Sequence, residues 1–292
     1  MKSIRAWVFV LAMASIPAMS ADKNALPGYV IPRSEVRTLP VNAAGRHYAL
    51  FIGLPVSYAK EPGKRYPVVF VTDGYWDFQK LTALHGPLVY DKYAPEFIVV
   101  GMGYAGENPD FNNLRRWELS PVSFGTPADT SGHAKEYLDT IEKVFIPLID
   151  KEYRTDPKQR VLGGASLGGL FTLYTMFTKP ELFSAYVAVT PAVALQDDWL
   201  LKYEEDFAKS GKSLNARLYM TGGGNESPRF LAPILRMNQR LAMRKYPKLA
   251  YEFRIIDGER HAGNQTESYN RGLRFVFAPV APEQGPSIDP AP

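Results

Sequence analysis

Apolar residues along the chain fall into short runs closed off by Gly, Pro, Asn and Asp, near 47–58, 68–72, 97–104, 161–164, 186–190, 217–221 and 251–257. Several of them, such as Val68-Val69-Phe70-Val71 and Ile98-Val99-Val100, show no polar alternation. Strands buried on both faces read this way, as in a mainly parallel sheet covered by helices. Between the runs, the segments 76–85, 133–151, 167–178, 199–209, 227–245 and 266–276 carry apolar residues at helical spacing. Strand and helix alternate, which predicts an α/β chain with a central, mostly parallel sheet and helices on both faces.

The two ends depart from this pattern. Lys2 and Arg5 precede an apolar stretch from Ala6 to Ala18, and Ala18-Met19-Ser20 supplies small residues before Ala21. That order reads as a cleavable signal peptide over 1–20 and predicts a periplasmic or secreted protein. The apolar stretch is shorter than the ~20 residues that span a bilayer, and no later segment is long and apolar enough, so no integral membrane span is expected after leader removal. The body is read as one domain, 21–278, with an irregular arm over 21–45. The Pro-rich end, 279–292, is read as a disordered tail. The stretch 105–131, with Gly, Asn, Pro and Asp throughout, is the longest irregular segment and is expected to wall the functional site.

Composition narrows the partners. The formal net charge is +4, and two of those charges, Lys2 and Arg5, belong to the leader. Basic and acidic residues are interspersed, which argues against a nucleic-acid partner and leaves a small molecule. The chain has no Cys, so an exported form relies on its core and not on disulfides.

The candidate chemistry centres on Gly163-Gly164-Ala165-Ser166-Leu167-Gly168-Gly169, a G-x-S-x-G string between an apolar run and a helical segment. A serine on a sharp strand-to-helix turn needs neighbours almost without side chains, because the chain doubles back on itself. A serine hydroxyl also needs an imidazole to take its proton and a carboxylate to orient that imidazole. On a sheet with such an elbow these follow in the order serine, acid, histidine. His261 is the one histidine after Ser166, and it stands in a turn after the last apolar run. Glu226 is the first carboxylate after the run before that, with Asp257, Asp197 and Asp198 as fallback candidates. An acyl-transfer site needs two donors for the developing oxyanion, and the backbone N–H groups of Leu167 and Tyr75 are expected to supply them.

Several further segments carry a family resemblance over roughly 45–276. Leu54-Pro55, Tyr66-Pro67-Val68, Thr72-Asp73-Gly74 and Val100-Gly101 come first. Arg115-Arg116-Trp117-Glu118-Leu119-Ser120-Pro121, Phe145-Ile146-Pro147, Tyr153-Arg154, the elbow and Thr190-Pro191 follow. Together they resemble the bacterial esterase family that includes siderophore trilactone esterases, feruloyl-esterase-like and antigen-85-like hydrolases. The resemblance implies an α/β-hydrolase fold and puts catalysis on Ser166, Glu226 and His261. Its R-x-R-D-x-T-P string is matched imperfectly, since Trp117 holds the second arginine position and Glu118 replaces the aspartate. His133 stands where a second glycine is common. Arg115, Trp76 and His133 are the candidate substrate-binding residues, beside bland alternatives: an ion-paired or solvent-facing arginine, a packing indole and a polar residue in the first turn of a helix.

Other motifs fail on context. Gly101-Met102-Gly103-Tyr104-Ala105-Gly106 fits G-x-G-x-x-G, but Pro109 interrupts the helix a dinucleotide would need. Gly211-Lys212-Ser213 lacks the earlier glycine of a P-loop, and no metal-ligand spacing is present. The sequence therefore predicts an exported serine hydrolase that cleaves carboxylic esters through an acyl-enzyme on Ser166, with no cofactor and no metal. An acyltransferase using the same intermediate and a non-catalytic binding protein on the same fold are the alternatives.

Overall fold

The computed structural model describes residues 29–125 and 130–283. The chain divides into a short amino-terminal unit, Met1–Ile31, and a body, Pro32–Pro292. The leader expected over 1–20 lies outside the described residues, as does the tail from 284.

Among the described residues the body has eight strands: β1 (Ser34–Thr38), β2 (Tyr48–Gly53), β3 (Tyr66–Val71), β4 (Ile98–Tyr104), β5 (Thr155–Ala165), β6 (Ala185–Val189), β7 (Ala216–Gly223) and β8 (Leu249–Ile256). They form one sheet in the order β1-β2-β4-β3-β5-β6-β7-β8. β1 and β2 pair antiparallel, as do β2 and β4, and every other pair is parallel. The continuous apolar runs occupy the middle, where every residue of β3 and β6 is buried. The edges carry charge instead. β1 holds Glu35 and Arg37, and β8 holds Glu252 and Arg254, which discourages edge-to-edge pairing with another chain.

Among the described residues, eight α-helices flank the sheet: α1 (Gly74–Tyr90), α2 (Phe111–Leu119), α3 (Ala134–Thr140), α4 (Ile146–Glu152), α5 (Leu167–Thr178), α6 (Leu195–Lys209), α7 (Pro228–Arg244) and α8 (Gln265–Phe277). Alternation along β5 assigns their faces. A side chain at Gly163 would meet Tyr269 of α8, and one at Gly164 would meet the backbone of Gly168 in α5. So α8, with α1 packed beside it, covers one face, while α5, with α2 and α6 against it, covers the other.

Three segments differ from expectation. The arm contains β1, whose five residues Ser-Glu-Val-Arg-Thr carry no apolar run. The stretch 105–131 contains α2, started by the Asp110 carboxylate accepting from Asn113 N at 3.2 Å. The helix expected over 133–151 passes through a π turn, Ile141–Phe145, between α3 and α4. Pro147 lies just past it and has no N–H to give the preceding turn.

Candidate active site

Ser166 sits between β5 and α5 with φ 59° and ψ −116°, a conformation costly for any residue with a Cβ. The backbone around it holds it there. Ser166 N donates to Val189 O at 3.0 Å, and Ser166 O accepts from Leu170 N at 2.9 Å and Ala192 N at 3.0 Å. The elbow glycines answer to space. A Cβ on Gly168 would press into Thr72 Oγ1, and one on Gly164 would press into the carbonyl of Gly168. Two neighbouring strand ends carry the same kind of strain, with φ 52° at Asp73 after β3 and φ 38° at Thr190 after β6. In an open α/β sheet the carboxyl edge is where ligands bind.

The next two loops along that edge are stitched together. Gly224 N donates to Ile256 O at 2.8 Å, Asn225 N to Glu259 O at 2.8 Å and Asn225 Nδ2 to Gly258 O at 2.9 Å. This ties the loop after β7 to the loop after β8 and brings Glu226 Oε1 to 3.3 Å from His261 Nδ1. The two side chains differ in exposure, 2% for Glu226 and 42% for His261, so the carboxylate is fixed and the imidazole open to a substrate. Oε1 of Glu226 also accepts from Thr190 Oγ1 and, at 3.4 Å, from Asn264 Nδ2. Asn264 is fully buried and binds the turn itself, donating to Arg260 O at 2.8 Å and His261 O at 3.0 Å.

Ser166 and His261 line one cavity of about 370 Å³ together with Asp73, Trp76, Lys80 and Arg115. Among the described residues the Ser166 hydroxyl and the imidazole are not hydrogen-bonded to each other, and hydrogen bonds of this kind are often long in a site without substrate. Leu167 and Tyr75 occupy the first turns of α5 and α1, where backbone N–H groups have no acceptor within the helix.

The fallback acids stand elsewhere: Asp198 pairs with Arg236, Asp197 lies in a left-handed stretch at the start of α6, and Asp257 is exposed in the turn after β8. Arg115 lines the cavity with one edge of its fork engaged, Nε and Nη2 each 2.8 Å from an Asp73 carboxylate oxygen. Burial disfavours its charge, but the bonds to Asp73 outweigh this and raise its pKa. Trp76 packs against Phe111 at 5.9 Å and lies beneath the Arg115 guanidinium at 5.8 Å. His133 is not among the residues lining this cavity. Its ring stacks on Trp117 at 3.8 Å, an aromatic surface covered from another side by Arg46 at 3.9 Å.

Reasoning from sequence missed the polar floor of the cavity. Lys80 Nζ bridges Asp77 Oδ1 and Gln265 Oε1 at 2.6 Å each, and Tyr269 donates to Asp77 Oδ2 at 2.6 Å. Burial pushes the Asp77 carboxyl up, with Lys80 opposing. The one signal available was the spacing of Asp77 and Lys80 on one helix face.

A mostly parallel sheet whose carboxyl edge presents a serine elbow, then a carboxylate and a histidine from successive loops, defines an α/β-hydrolase. The Esterase family model matches residues 41–236, and the chain belongs to that family; it is a carboxylic ester hydrolase. Ferri-bacillibactin esterase BesA of Bacillus subtilis (strain 168) is 26% identical over 271 residues, covering 87% of this chain and 93% of that protein. Siderophore triacetylfusarinine C esterase of Aspergillus fumigatus is 27% identical over 187 residues, covering 62% of this chain and 63% of that protein. Among solved structures, BES protein from Bacillus cereus superposes with a TM-score of 0.78 at 26% identity, covering 86% of this chain and 97% of that one. The family resemblance read from the sequence is thereby borne out.

Proposed function

We propose that the chain hydrolyses esters through a covalent acyl-enzyme on Ser166, with His261 as base and then acid and Glu226 as the group that orients it. The observation that carries this reading is a buried carboxylate 3.3 Å from the imidazole nitrogen of a histidine that shares its cavity with the elbow serine. In the first half-reaction Ser166 Oγ attacks the ester carbonyl carbon, His261 takes the hydroxyl proton, and the carbonyl electron pair moves onto oxygen. The oxyanion is met by the N–H groups of Leu167 and Tyr75. Collapse breaks the bond to the alcohol oxygen, which leaves with the proton from His261. Water then attacks the acyl-enzyme, giving its proton to His261, and collapse returns that proton to Ser166 Oγ and releases the acid.

The substrate class proposed is the siderophore ester. Relatives named for ferri-bacillibactin and triacetylfusarinine C support it, and the serine shares its cavity with an indole and two cations, each paired with an aspartate. Export fits the leader read at 1–20, and a periplasmic or secreted location is proposed with it. The test is turnover of a ferric siderophore ester against simple aryl esters, with product analysis with and without added alcohol. Release of free acid, with a kcat/KM at least about tenfold higher for the siderophore ester, is expected. Transesterification as the main outcome in the presence of alcohol would make the chain an acyltransferase.

A further inference from the structure

His261 borders two cavities. Besides the one it shares with Ser166, its ring lines a second of about 300 Å³, formed with Asn225, Glu226, Ser227, Phe230 and Arg260. The two chambers differ in how their cations are used. In the serine cavity Arg115 is held by Asp73 and Lys80 by Asp77. Arg260, in the second, is exposed, and its guanidinium has no partner among the described residues. Phe230 closes the wall with its ring edge-on to the imidazole, 4.7 Å between centroids and 81° between planes. Glu226 also borders this chamber, but its side chain is 2% exposed; its Oε1 is held by Thr190 and Asn264, and its Oε2 is buried with no hydrogen-bond partner among the described residues.

The chemistry of the proposed reaction divides an ester between the two chambers. When the acyl–oxygen bond breaks, its electron pair goes to the alcohol oxygen, and that oxygen takes the proton from the His261 imidazolium. The alcohol half must therefore lie against the histidine, while the acyl carbon is bonded to Ser166 and its oxygen points to the helix starts. We propose that the cavity lined by Phe230 and Arg260 is the leaving-group subsite, and that Arg260 selects alcohols bearing a carboxylate, that is, esters of hydroxy acids. An unpartnered guanidinium gives a carboxylate a planar pair of donors without first breaking an ion pair, and the Phe230 ring supplies apolar surface for the carbon skeleton. This rests on the serine reading above.

Three esters separate the possibilities: phenyl acetate, which is neutral, 4-acetoxybenzoate, with its carboxylate on the alcohol half, and monophenyl adipate, with its carboxylate on the acyl half. Arg260→Gln is expected to lower kcat/KM for 4-acetoxybenzoate about fivefold, mainly through KM, as fits one exposed ion pair strengthened by hydrogen bonding. Phenyl acetate and monophenyl adipate should change by less than about twofold. Arg260→Lys should recover part of the loss. Equal effects on all three esters, or none on 4-acetoxybenzoate, would overturn the subsite. The serine reading is judged separately: if phenyl acetate hydrolysis survives Ser166→Ala, that reading has failed, whatever Arg260 does.

Discussion

A serine with φ 59° is a strained residue, held so at the turn from β5 to α5, where Ser166 lines the cavity. Ser166→Ala removes one oxygen and leaves that backbone in place. It is expected to lower kcat by about 10⁴-fold or more while shifting the melting temperature by no more than about 1 °C, checked by steady-state hydrolysis and a thermal scan. Glu226→Gln keeps the shape but loses the charge facing the imidazole, for a predicted loss of about 10²- to 10⁴-fold. Thr190→Val removes only the hydroxyl that donates to Glu226 Oε1, for which about tenfold is expected. A Thr190→Val loss as large as that of Glu226→Gln would contradict a supporting role.

At the scale of elements, the elbow depends on α5 starting hard against the end of β3. Thr72 Oγ1 lies where a Gly168 side chain would go, and that oxygen is buried with no hydrogen-bond partner among the described residues. Gly168→Ala should therefore cost about 1–3 kcal/mol by overpacking, Thr72→Ala less than about 1 kcal/mol, and the double variant should recover most of the loss, read from urea unfolding of all four proteins. α2 supplies a pH-dependent contribution. Burial raises the Glu118 carboxyl to about 7, while the Tyr48 and Tyr104 hydroxyls, at 2.6 and 2.8 Å, oppose that shift. An unfolded glutamic acid titrates near 4.3, so the folded state keeps a proton that the unfolded chain gives up between those values. Its contribution is complete below the unfolded pKa and is lost as the pH rises through 7. Relative to Glu118→Gln, the wild type should lose about 2–3 kcal/mol of stability between pH 5 and pH 8; parallel unfolding curves at the two pH values would contradict this. The same elements mark what could be read from the chain. Buried strands such as β3 and β6 announce themselves because both faces need apolar side chains. β1 is a charged edge strand, and α2 is hidden among turn residues except for its Asp110 cap. The Asp73–Arg115 pair joins residues 42 positions apart, and Lys80 meets Gln265 from 185 positions away. Only the packing of α2 over the elbow and of α1 against α8 brings those groups to one cavity, so no local spacing encodes them.

For the whole molecule, Ser166, Glu226 and His261 could be placed from the chain because each follows a different strand and all those strands end at one edge. Loop contents are written in side chains that come together only after folding, such as Arg260 and Phe230, which line one cavity from two different loops. The leader proposed over 1–20 makes a separate prediction: protein recovered from outside the cytoplasm should begin at Ala21 by intact mass, and a chain retaining residues 1–20 there would contradict export by cleavage. The central claim is that Ser166 becomes acylated with help from His261. Its most direct test is to treat the folded protein with a fluorophosphonate and map the adduct by peptide mass spectrometry. A stoichiometric adduct on Ser166, absent in Ser166→Ala and formed at least about a hundredfold more slowly in His261→Ala, is the predicted result. A folded, ester-cleaving protein whose Ser166 stays unmodified, or whose adduct forms on another residue, would contradict it.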